Sequence, residues 1–138
     1  MQKCKHFSLQ ELVPRHVYEE KGEFAWIFLD DRALITLDQL RERFGTAVVN
    51  NWCWGGSRQW SGLRTEKSPV GSAYSQHRFG RAFDVLFSEY SAADVRSYVL
   101  NNPEEFPYIK GIEKGVNWFH FDCGNRPLGK YRIWTFSK

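Results

Sequence analysis

At 138 residues the chain has room for one domain with a sizeable core and not for two ordinary ones, so residues 1–138 are read as a single domain. Hydrophobic residues at 42% and charged residues at 25% exclude a disordered chain, and a net charge of +3 with scattered Lys and Arg argues against a dedicated nucleic-acid binder. Cys4, Cys53 and Cys123 show no C-x-x-C spacing, which excludes a disulfide framework and a cysteine zinc knuckle and fits a reducing compartment.

In chain order, "MQKCKHFSLQELV" has no apolar stretch long enough for a signal peptide, and no later segment approaches a membrane span. Synthesis in a cytoplasm and a soluble product are expected. Ser8 as N-cap with Glu11 three residues on, flanked by Phe7 and Leu12 as a hydrophobic staple, predicts a short helix. Leu34, Leu37, Leu40 and Phe44 follow helical spacing up to the stop at Gly45, predicting a second. Ser91 followed by Asp94, with Val95, Tyr98 and Val99 on one face and "NNP" at the end, predicts a third. Between them "AVVNNW", "RAFDVLF", "NWFHFDC" and "KYRIWTF" read as strands, and "WGGSRQWSGLRTEKSPVGSAYSQ" as a long loop. With no repeating strand-helix-strand rhythm, the expected class is α+β, helices packed on a mainly antiparallel sheet.

Strand alternation then carries chemistry. In "RAFDVLF" it sets Ala82, Asp84 and Leu86 on one face; in "NWFHFDC" it sets Trp118, His120 and Asp122 together, with Phe119 and Phe121 toward the core. His77, just before Gly80, can bend over the sheet to meet Asp84 if the two strands are neighbours, with His120 completing the group. Two histidines and a carboxylate suit Zn2+ and leave its fourth position open, as a catalytic site requires. Spacing by itself leaves a metal site and a solvated polar turn both open.

"SQHRFGRAFD" resembles the Ser-x-His-x-x-Gly-x-Ala-x-Asp pattern of the zinc D-alanyl-D-alanine peptidases, whose fold is shared by phage endolysin peptidases and the Hedgehog signalling domain. Ser75, His77, Gly80, Ala82 and Asp84 all match. "SGLR" is similar to that family's Ser-Gly-Tyr-Arg segment, with Leu63 in the aromatic's place, and "WFHFD" to the strand that delivers the last ligand. The resemblance implies a Hedgehog-like fold and zinc held by His77, Asp84 and His120. It also implies that Arg64 lies over the metal to polarise the scissile carbonyl, in the role of an oxyanion donor.

One departure stands out. Many such peptidases carry a carboxylate three residues before the last histidine as general base, and this chain has Asn117, which cannot accept a proton. Asp122, as base or as support for a histidine, and Glu113, in a segment able to curl back over the site, are the substitutes. Trp54, Trp60 and Trp118 flank these segments as groove candidates, while Trp26, Trp52 and Trp134 are assigned to the core. His6 and His16 are expected at the surface; Cys53 and Cys123 are expected as small buried hydrophobes; Tyr74 and Gln76 have either loop-packing or substrate roles.

The expected function is a zinc peptidase cutting peptide stems of bacterial peptidoglycan. It would be phage-encoded, made in the host cytoplasm and active at the cell wall, with no nucleic-acid partner. The alternative is a catalytically inactive zinc-bearing structural or wall-binding module of a phage particle, motivated by Asn117.

Overall fold

A computed structural model describes residues 1–138. The capping box at Ser8 forms, with the Glu11 carboxylate accepting from the Ser8 amide at 2.7 Å, but it opens only a 3-10 turn, Leu9–Glu11. The helix itself, α1 (Arg15–Lys21), starts behind Pro14, whose fixed φ suits a helix entrance, and was not legible as a separate element. A 3-10 stretch, Gly22–Phe28, leads to α2 (Asp31–Phe44). Asp30 caps α2 by accepting from the Arg32 amide at 2.9 Å, and the predicted stripe of Leu34, Leu37, Leu40 and Phe44 is buried. The later helix α3 (Ala92–Asn101) is capped by the Ser91 hydroxyl, which accepts from the Asp94 amide at 3.1 Å. No helix is long and apolar enough to cross a membrane.

The strands are β1 (Ala47–Val48), β2 (Ala82–Phe87), β3 (Gly111–Glu113), β4 (Phe119–Asp122) and β5 (Trp134–Phe136), in the sheet order β1-β2-β4-β3-β5. All pairings are antiparallel except β3 with β5, so the class is α+β with a mixed sheet. Phe83, Phe119, Phe121 and Ile112 leave one face of the central strands for the core, beside the leucines of α2. Each such ring or branched chain contributes roughly 1.5–3 kcal/mol on burial. That requirement fixes the register, because a one-residue slip would turn all of them out and bring the polar residues in.

Candidate metal centre

The same alternation builds the site on the opposite face. Across the sheet Asp84, His120, Glu113 and Phe136 fall in register as one row, and Ala82, Asp122, Gly111 and Trp134 form the next. His77 comes from outside the sheet, on the 3-10 turn Gln76–Phe79, where the Ser75 hydroxyl accepts from its amide at 3.3 Å. Gly80 ends that turn in the left-handed region, at φ 68°, and a Cβ there would run into the Phe28 carbonyl oxygen. The tight return brings His77 back over β2.

His77, Asp84 and His120 are all buried, and one potential ligand atom from each lies within 4.8 Å of the others. His77 Nδ1 sits 2.9 Å from the Gly62 carbonyl oxygen and must donate to it, which leaves Nε2 unprotonated and 3.3 Å from Asp84 Oδ1. His120 Nδ1 is 2.9 Å from the same Asp84 oxygen, and its Nε2 is 3.1 Å from Asp122 Oδ2. Donors bound to one ion at about 2.0–2.1 Å stand roughly 3.3 Å apart in a tetrahedron, close to the 3.3 and 2.9 Å that separate the two histidines from Asp84 Oδ1. The donor set therefore fits a small divalent cation, with Nε2 of His77, Nδ1 of His120 and Oδ1 of Asp84 as ligand atoms.

Electrostatics prepares two of the three groups. Burial lowers the pKa of His77, against the pull of Asp84, so its imidazole is neutral as a ligand must be. For Asp84 burial opposes ionisation, but the hydrogen bond from His120 outweighs it and holds the carboxyl well below the usual range. His120 differs: burial disfavours its cation, yet hydrogen bonds to Asp122 and Asp84 lift its pKa to about 9. A cation entering the site takes over the Asp84 contact and displaces that proton.

The cluster forms the floor of a cleft of about 390 Å³ that also exposes Arg64, Glu113 and Trp118. Arg64 Nε donates to the Trp60 carbonyl at 2.7 Å and Nη2 to Asp84 Oδ2 at 3.2 Å, while Nη1 lies against Gly71 without a hydrogen bond. Glu113 is buried, in register with His120, and no protein group hydrogen-bonds its carboxylate. Asp122 is fully buried, and both its oxygens are taken by His120 and Arg126. Asn117 is exposed and lines a different groove, against Tyr90 and Arg96, so it stands outside the cleft.

Tyr74 and Gln76 line the cleft with Trp118, and Gln76 Oε1 and Trp118 Nε1 are buried without a hydrogen-bond partner. Trp54 is exposed and away from the cleft, and Trp60 packs against His16 with ring centroids 5.9 Å apart. His6 is exposed and His16 half-buried. Trp26 is buried and Trp52 half-buried, but Trp134 is 37% exposed, because the edge strand β5 turns it away from the core. Cys53, expected to be buried, is exposed on a 3-10 turn, whereas Cys123 is buried. Arg126 and Phe136 went unnoticed in the sequence, because Asp122 ends a strand and a spacing of four marks an ion pair only on a helix. No protein-family model, curated protein or solved structure matches the chain, so the functional reading rests on its own residues.

Proposed function

We propose that the protein is a zinc-dependent peptidase of the D-alanyl-D-alanine peptidase and Hedgehog-like fold, hydrolysing peptide bonds in bacterial peptidoglycan and encoded by a phage. The observation that carries the metal part is the convergence of His77, Asp84 and His120 at the floor of an open cleft. Two nitrogens and one carboxylate oxygen favour zinc and leave a position open, as in catalytic rather than structural sites. The substrate class rests on the resemblance carried by "SQHRFGRAFD", "SGLR" and "WFHFD".

Bound zinc would supply a Lewis acid for the scissile carbonyl and a water activated near neutral pH. The chain's own groups divide the remaining work. Arg64 is anchored through Nε and Nη2, and offers its free Nη1–H to the negative charge that develops on the carbonyl oxygen. Glu113, facing the cleft with no competing partner, accepts the proton of the attacking water and returns it to the leaving amine. Asp122, sealed from the cleft by its burial, holds the His120 tautomer instead.

Purified protein should bind close to one zinc per chain and release peptide stems from isolated peptidoglycan in a chelator-sensitive reaction. His120→Ala should lose both properties. Zinc binding without cleavage would instead favour the inert zinc-bearing module of a phage particle. Absence of metal binding would sink both.

A further inference from the structure

Arg126 follows β4 four residues after Asp122 and grips that carboxylate as a fork, Nε to Oδ1 at 3.1 Å and Nη2 to Oδ2 at 2.6 Å. Its guanidinium carbon also lies 4.6 Å from the centre of the Phe136 ring. Both partners touch His120. Asp122 Oδ2 meets the imidazole at Nε2, 3.1 Å away, and Phe136 meets it edge-to-face, with centroids 5.5 Å apart and planes at 82°. The fork needs space that a side chain would take: a Cβ on Gly111, the register partner of Asp122, would stand 2.7 and 2.8 Å from the carboxylate oxygens and 3.0 Å from Arg126 Nε.

We infer that Arg126 is a positioning residue for the metal centre, fixing the His120 ring through Asp122 at one edge and Phe136 at another so that Nδ1 faces Asp84 and His77. The inference rests on the metal reading proposed above. A histidine ligand whose outer hydrogen bond is lost samples other ring orientations, and such partners are typically worth 10–100-fold in metal affinity. Lysine at this position would keep the charge but not the planar two-point grip.

The test titrates Zn2+ into metal-free wild type, Arg126→Gln, Arg126→Lys and Gly111→Ala, with circular dichroism to check folding. The visible spectrum of the Co2+-loaded forms reports ligand geometry independently of catalysis. Arg126→Gln should raise the Kd about 10–100-fold and alter the Co2+ spectrum. Arg126→Lys should recover only part of the affinity. Gly111→Ala, which crowds both Asp122 and Arg126 Nε and so disturbs the fork without removing either side chain, should weaken binding in the same direction, and it carries the test if Arg126→Gln does not fold. In metal-free protein the His120 Nε2 proton should give a protected downfield resonance that Arg126→Gln and Gly111→Ala lose. Wild-type affinity, Co2+ spectrum and proton resonance in the folded variants would overturn the inference. A wild type that binds neither metal would overturn the metal reading instead, and the proton resonance would then decide on Arg126.

Discussion

At the scale of single residues, the two carboxylates beside His120 are separated by their surroundings rather than by their chemistry. Glu113 and Asp122 lie on the same face of adjacent strands, yet only Glu113 opens on the cleft, while Asp122 is held by an arginine fork. Glu113→Gln keeps the shape and removes the proton acceptor, so turnover on peptidoglycan should fall roughly 10²–10⁴-fold with zinc affinity unchanged. Steady-state rates beside zinc titration check this; an unaltered rate would remove Glu113 from the mechanism. The cysteines give a second residue-scale expectation. Burial pushes the Cys123 thiol up to about 12 and raises Cys4 above its ordinary value as well, so both stay protonated and shielded at pH 8. Cys53 is exposed, so a thiol reagent at that pH should label one cysteine rapidly in the native protein and all three after unfolding.

At the scale of elements, local signals were legible where one residue type performs one task. Ser91 and Gly45 mark their helix ends as expected, and the alternation of Phe119, His120, Phe121 and Asp122 placed two site residues on one face before any fold was known. β3 escaped because three residues beginning with glycine carry no period, and its pairing with β5 joins strands some twenty residues apart. The Asp30 cap of α2 leads to a pH-dependent prediction. Hydrogen bonding from Arg32, against the effect of burial, lowers the Asp30 pKa below its ordinary value. Its contribution to stability is therefore present above the unfolded carboxyl pKa of about 3.9 and is lost as pH falls through the lower folded value. Asparagine caps equally well but does not titrate. Asp30→Asn should be less stable than wild type at pH 6 by under about 1 kcal/mol, because the Arg32 pair is partly exposed, and the gap should close by pH 2. Urea denaturation at the two pH values measures it.

At the scale of the whole molecule, the three candidate metal ligands belong to a turn and two paired strands, and the contacts around them extend to the edge strand β5 through Phe136. Composition and pattern sufficed for an α+β class, because the number and spacing of elements limit how a chain of this size covers one sheet. The parallel pairing of β3 with β5 lay beyond reach, since it depends on how the chain between them crosses, not on either strand's residues. For the same reason neither the pairing of Arg126 with Asp122 nor its contact with Phe136 could be foreseen.

Residues 55–75 carry no helix or strand, and they include the exposed Lys67, which lies in sequence between the cleft residues Arg64 and Gly71. Trypsin should consequently cut first after Lys67, dividing the chain into a piece that carries Arg64 and a piece that carries His77, Asp84 and His120. Buried leucines of α2 in the first piece pack with Phe83 and Phe121 of the second, so the two halves should stay associated as a noncovalent complex. Such a nicked protein, monitored by mass spectrometry and zinc content, should keep any zinc it binds while Arg64 retains its hydrogen bonds to Trp60 and Asp84 and loses only its chain link to His77. If zinc dissociates on cleavage, the intact loop contributes to holding the ion; if it is retained, the two pieces provide a split form in which Arg64 can be exchanged without refolding the ligand set.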